Sequence, residues 1–285
     1  MPLLRPLLRY TKQRKLESMR LEGGLVEYLS PSIGMPPIII AGATVNSDFV
    51  AVIRHNAVPA ALVSLVFAMV AHRMGSVSRS GAAAGAAVSF LLYAVCGLQG
   101  FLVLGVLFLI TAGTTRLGKD RKRRLGIGEH RRGRNGWQVL ANVSAAALLA
   151  VVALYASRPE ILLASVAALA EAAADTAASE VGKALSSHVY LITTFRRVDV
   201  GSDGGISVIG TLSGIAAALL TAMAAAVLGL VPARWLPAAF GAAVFGSLLD
   251  SFLGATVQRS GWLNNSAVNF LSTIAAAAIA VFLLL

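Results

Sequence analysis

Residues 160–181 read EILLASVAALAEAAADTAASEV, and this stretch decides the fold. A helix needs roughly 20 mainly apolar residues to cross a bilayer, and the run is long enough and apolar enough to do so. It also carries Glu171, Asp175 and Glu180. A carboxylate inside a membrane helix is costly and is by default a functional residue. On a helix Glu171 and Asp175 share a face, as do Asp175 and Ser179, and Thr176 and Glu180. Asp175 and Glu180 stand about 140° apart around a regular helix. One ligand touches both only if the helix loosens near Gly182, or if neighbouring helices complete the contact.

Working outward, the rest of the chain has the same character. It has 285 residues, 57% hydrophobic and 13% charged, against about 25% charged in soluble domains. That excludes a soluble globular fold, disorder, collagen and a coiled coil. Further apolar runs lie at 57–72, 81–97, 100–116, 137–156, 206–230 and 237–257, and 266–285 closes the chain. The segment 37–53 would put Asn46 and Asp48 at the centre of a crossing, so it is either a re-entrant or interfacial piece or an extra span. The expected fold class is all-α, a polytopic membrane helix bundle of about seven to nine transmembrane helices. Its expected division is a basic N-terminal extension, 1–56, and a transmembrane helical catalytic domain, 57–285.

Charge sets the orientation. The chain has 24 Lys and Arg against 13 Asp and Glu, a net charge of +11. These cations lie between apolar runs, where they set topology and meet anionic lipid or phosphate, so nucleic acid is not expected as a partner. One set of alternate loops holds Arg73, Arg79, Arg116 through Arg134, Lys183, Arg196, Arg197 and Arg259; the other holds Arg158 and Arg234. Basic loops stay in the cytoplasm. The basic residues of 1–20 should stay there too, and no signal peptide is expected. The single cysteine, Cys96, excludes a disulfide framework. Gly81-Ala-Ala-Ala-Gly85 and Gly210-Thr-Leu-Ser-Gly214 are small-residue faces of the kind that let helices pack closely.

Polar groups gather at the basic ends of several spans. Asp250 lies about two turns from that surface. The last span opens with Asn264, Asn265 and Asn269 and adds Ser272 and Thr273; the fourth opens with Trp137, Gln138 and Asn142. Together they describe one polar pocket opening to the cytoplasmic side. The loop after the acidic run holds Lys183, a short β-like stretch, Arg196 and Arg197. It then makes a turn through Gly201, Gly204, Gly205 and Ser207 into the next helix. Arginine forks and helix-opening amides suit phosphate, and acids suit Mg²⁺. A metal-bound phosphate accounts for both features; a solvated turn with topology-setting arginines accounts for the loop alone. Other motifs fall away. Gly113–Asp120 nearly spells a Walker A loop, without the Ser or Thr that binds Mg²⁺. Asn142-Val-Ser144 is a sequon by spelling only, and the four histidines have no metal spacing. The basic run 119–134 is a topology anchor, with guidance of phosphates as a second role.

Asp175-Thr-x-x-Ser179-Glu180-x-Gly182, Leu191-Ile-Thr-Thr194 and Gly201-x-x-Gly204-Gly205-x-Ser207-x-x-Gly210-Thr211 occur in that order. Gly246-Ser-Leu-Leu-Asp250-Ser-x-x-Gly254-Ala-Thr256 and Trp262-x-Asn264-Asn265-x-x-x-Asn269 follow. This series, across roughly 73–285, resembles an integral membrane family of formerly unknown function. Its members include human transmembrane protein 19 and the plant chloroplast phytyl-phosphate kinase of vitamin E synthesis. The resemblance implies a kinase moving the γ-phosphoryl group of CTP or another nucleoside triphosphate, with Mg²⁺, to a phytyl or polyprenyl monophosphate. It implies catalytic and metal-binding roles for Asp175, Glu180 and Asp250. It implies substrate-binding roles for Lys183, Arg196, Arg197, Gly204, Gly205, Ser207, Asn142, Asn264, Asn265 and Asn269. Ala177 departs from a Trp associated with this position in relatives, and Glu171 is an extra acid. The expected setting is a bacterial or archaeal cytoplasmic membrane, with membrane lipid and an isoprenoid monophosphate as partners and a homodimer allowed. The same pocket chemistry also admits a lipid-phosphate nucleotidyltransferase, and intramembrane acids also mark ion-coupled transporters.

Overall fold

The computed structural model describes residues 45–128 and 133–284. Among them, seven helices are long and apolar enough to cross a membrane. They are α1 (Val45–Arg73), α2 (Arg79–Arg116), α4 (Gly136–Ala156), α5 (Pro159–Leu185), α6 (Val208–Val227), α7 (Leu236–Leu253) and α8 (Asn265–Phe282). A short α3 (Lys119–Arg124) follows α2, and the strands β1 (Val189–Leu191), β2 (Arg197–Val198) and β3 (Gly205–Ile206) lie between α5 and α6. The protein is thus a polytopic all-α membrane protein.

The second of these helices is two. A straight 38-residue helix would be about 57 Å long. Yet Arg116 Nη2 at its end donates to the Met74 carbonyl just before its start, at 3.0 Å. The rings of Tyr93 and Phe101 approach to 6.0 Å. The reversal is at Gly97, whose φ of 63° and ψ of −158° are not helical and which a glycine adopts without a Cβ penalty. The runs 81–97 and 100–116 are therefore the two arms of a hairpin, and the seven helices make eight crossings.

Of the segment 37–53, the described part, 45–53, is continuous with the first long helix. Residues 45–53 form the first turns of α1, which continues through Pro59, and the expected boundary after residue 56 falls inside this helix. The helix carries a polar step, Arg54-His55-Asn56, in its N-terminal half. The structure satisfies part of it, because Asn56 Nδ2 donates to the Ala94 carbonyl of the hairpin at 3.1 Å. Residues 37–44 and the basic stretch 1–20 lie outside the described residues.

All the arginine-rich connections come to one end. Arg121 donates to the carbonyls of Ala184 and Ser186 at the end of α5. Arg134 pairs its backbone with Ser76 and Ser78 before α2, and Gly204 packs on Ala255. The strands form an antiparallel sheet of order β2-β1-β3, with Val189 opposite Val198 and Leu191 opposite Gly205. This confirms the β-like stretch.

α5 is the central helix and packs against α2, α4, α6, α7 and α8. From Leu163 to Ala177 every residue is buried except Asp175, which is partly exposed. Small side chains make this possible. A Cβ at Gly210 would come 2.6 Å from the Ala178 carbonyl, and one at Gly214 would come 2.9 Å from that of Ala174. The Gly210–Gly214 face is a packing seam, as expected. The Gly81–Gly85 face is one only at Gly81, which abuts the Arg134 carbonyl; Gly85 meets nothing within 4 Å. Gly210→Val should therefore force α6 off α5 and lower unfolding stability in detergent by about 1–3 kcal/mol. Gly85→Ala should leave the melting midpoint unchanged or raise it.

Candidate functional site

At the basic end, a cavity of about 410 Å³ opens between α4, α5, α6, α7, α8 and the sheet-bearing loop. Its construction follows from how the helices begin and end. Ser207 caps α6, its Oγ accepting from Gly210 N–H at 3.2 Å. Asn135 and Gln138 form a reciprocal capping box at the start of α4. Helices α4, α6 and α8 thus point their N-termini, which favour anions, toward this end. α7 finishes in a π-turn over Gly254–Gln258, a local form that recurs at functional sites. That turn brings Gln258 to the cavity wall.

Asp175 of α5 and Asp250 of α7 meet inside the cavity, within hydrogen-bonding reach of each other. Two carboxylates this close repel strongly in a low-dielectric interior, and the arrangement needs positive charge beside it. Lys183 and Arg134 are the cations whose fields act on Asp175, and Ser272 Oγ donates to Asp250 at 3.1 Å. Below the pair Glu171 is buried, with its Oε1 unpartnered. Across the cavity Asn269 Nδ2 donates to Asn142 Oδ1 at 3.2 Å. The buried Asn269 Oδ1 has no partner.

Paired carboxylates and an orphaned amide oxygen are hard oxygen donors, and they fit a small hard cation such as Mg²⁺. Asp175, Asp250 and Asn269, which line the same cavity, are the residues that would hold one. Among the described residues, no three His, Cys, Asp or Glu side chains gather into a metal cluster.

Glu180, expected beside the other two acids as a third metal ligand, lines the same cavity and is ion-paired there. Its Oε2 accepts from Lys122 Nζ at 2.7 Å, and its Oε1 lies 3.4 Å from Lys183. Lys122 is itself buried and also donates to the carbonyls of Thr114 and Thr115, at 3.2 and 2.7 Å. This lysine belongs to a basic run that reads as a topology anchor; only its register on α3 turns it inward. Arg196 and Arg197 are exposed and do not line the cavity, and Arg197 donates to the Ser187 carbonyl at 3.3 Å. Asn264 acts as the N-cap of α8, accepting from Ala267 N–H at 2.9 Å, while Asn265 and Asn269 line the cavity. Gly204, Gly205 and Ser207 line it too, but Gly205 N–H is already bonded to the Ser202 carbonyl at 3.0 Å. Arg134, Thr176 and Ser247 line it as well and carry no distinctive sequence signal.

The family profile of an integral membrane protein group, DUF92, matches residues 62–277, from within α1 to within α8. The chain belongs to the DUF92 family. An uncharacterised membrane protein of Synechocystis is 36% identical over 203 residues, covering 67% of this chain and 76% of the relative. The chloroplast protein VTE6 of Arabidopsis thaliana is 31% identical over 204 residues, covering 68% of this chain and 61% of the plant protein. An uncharacterised membrane protein of Methanocaldococcus jannaschii is 30% identical over 223 residues, covering 78% and 92% respectively. No solved structure matches.

In this DUF92 chain the Lys122–Glu180 pair ties α3 to α5 beside the cavity. Removing one partner of a buried pair strands the other charge, at a cost of about 3–5 kcal/mol. Lys122→Met should lower the unfolding midpoint in detergent strongly. The double variant Lys122→Met with Glu180→Leu should recover most of the loss.

Proposed function

We propose that this chain is a membrane-embedded kinase that transfers the γ-phosphoryl group of CTP or another nucleoside triphosphate to a phytyl or polyprenyl monophosphate. An oxygen of the acceptor phosphate attacks the γ-phosphorus. The bond from that phosphorus to the bridging oxygen breaks, and the nucleoside diphosphate leaves with the electron pair. No general base is needed, because the attacking oxygen already carries charge. The observation that carries the reading is the Asp175–Asp250 pair inside an oxygen-rich cavity flanked by Arg134 and Lys183.

Two polyanions must be brought together here, and positioning with charge neutralisation is the main catalytic demand. Arg134 presents a planar fork suited to phosphate oxygens, and Lys183 adds a mobile point charge. Asn142, Asn265 and Gln258 orient the substrate by hydrogen bonds. Asp175, Asp250 and Asn269 would hold Mg²⁺, which would neutralise charge on the transferring group. The family resemblance, which includes a plant phytyl-phosphate kinase, supports the substrate class. The excess of Lys and Arg at the cavity's end supports a cytoplasmic orientation in a bacterial or archaeal membrane.

The test uses purified protein in detergent with Mg²⁺, γ-labelled CTP or ATP, and phytyl or prenyl monophosphates. Label should appear in an organic-soluble diphosphate. Asp175→Asn and Asp250→Asn should each reduce turnover at least about 100-fold while the protein stays folded. Pyrophosphate release would instead mean nucleotidyl transfer. Full activity in both variants would sink the carboxylate mechanism, and no transfer with any pair would favour transport.

A further inference from the structure

A second cavity, of about 630 Å³, lies between α1, both arms of the α2 hairpin and α4. Its size is in the range of sites that enclose small organic ligands, about 300–1,000 Å³. Its interior is apolar, walled by Phe67, Gly85, Val88, Leu104, Leu107 and Val143. Phe67 is held edge-on by Phe101 and Phe108, with centroids 5.3 and 4.9 Å away. Leu104 lies about 18 Å along the second arm from Arg116, so the cavity reaches about halfway through a hydrocarbon core of about 30 Å.

The mouth has the opposite chemistry. Arg116, Lys119, Arg123 and Arg134 line it, and among the described residues no lining residue is acidic. Thr111 Oγ1 and Thr115 Oγ1 on the same wall are buried with no hydrogen-bond partner. The apolar and polar cavities share Gly128, Arg134, Gln138 and Asn142. An occupant with an apolar tail and an anionic head therefore has its head delivered to the acid pair.

We propose that this cavity is the acceptor site, holding a single-chain isoprenoid monophosphate. Its tail lies between α1, the hairpin and α4, and its phosphate sits at the Arg134–Gln138–Asn142 junction. The identity of the ligand rests on the kinase reading above; the fit of an anionic amphiphile does not.

Gly85 supplies the decisive variant. A Cβ there meets nothing within 4 Å, so Gly85→Phe puts a ring into the cavity without displacing backbone. The experiment photolabels the full chain in detergent, without nucleotide, using a phytyl monophosphate that carries a diazirine near the tail end. Peptides from α1, α2 and α4 should be labelled. Unlabelled phytyl phosphate should compete, and phosphatidic acid should not. Gly85→Phe should reduce this labelling, and turnover of the C20 acceptor, by at least about tenfold. Turnover of isopentenyl monophosphate should stay within about twofold of wild type.

Labels on other helices, suppression by phosphatidic acid, or C20 labelling undiminished in Gly85→Phe would each overturn the assignment. If Gly85→Phe does not fold, the wild-type labelling map decides alone. The two readings separate cleanly. Labelled cavity walls with no phosphoryl transfer to any acceptor keep the lipid-phosphate site and remove the kinase. Transfer with labels elsewhere does the reverse.

Discussion

A carboxylate cannot rest against hydrocarbon, and beyond its first turn α5 carries three of them, Glu171, Asp175 and Glu180. Every other feature of the bundle answers that constraint. Five helices surround α5, and its Ala-rich faces let their backbones come close enough to exclude lipid. Glu180 is neutralised by Lys122 from the short helix α3. Asp175 is the single residue between Leu163 and Ala177 that escapes full burial. Between Leu163 and Ala177 the helix is thus insulated from lipid and opens only at Asp175, where a second acid meets it.

Two halves with different chemistry adjoin at that opening. α1, the α2 hairpin and α4 enclose apolar space, while α5 to α8 and the sheet-bearing loop enclose oxygen and nitrogen. Arg134 stands where the two spaces touch. Its position is set by backbone pairing with Ser76 and Ser78 and by the close seat of Gly81 on its carbonyl. A cation so placed serves both spaces at once. The proposed kinase, whose reactants differ in polarity, needs such a boundary, because neither reactant is stable in the other's surroundings.

The sequence made most of the architecture legible because bilayer thickness imposes a length and an apolar composition on each crossing. The spans, the gathering of basic loops, the β-like stretch and the Gly210–Gly214 seam were all readable for that reason. Side-chain partners were less so. Arg196 and Arg197 look like phosphate ligands by composition, yet strand pairing through Arg197 directs that segment along the surface. Asn264 looks like a pocket residue, yet its side chain caps α8. Lys122 is indistinguishable from its neighbours until the register of α3 turns it inward.

Taken alone, the residues determine a polytopic helical membrane protein with acids inside its spans and cations at one end, since hydrophobic length and charge asymmetry are local properties. They also determine which helices can approach closely, because glycine and alanine spacing is local too. Only the tertiary structure decides that α2 doubles back at Gly97 and that α1 runs unbroken across a polar step. It alone decides that Asp175 finds Asp250, while Glu180 finds Lys122. Those outcomes depend on the rotation of each helix about its axis and on groups far apart in the chain satisfying one another where water is absent.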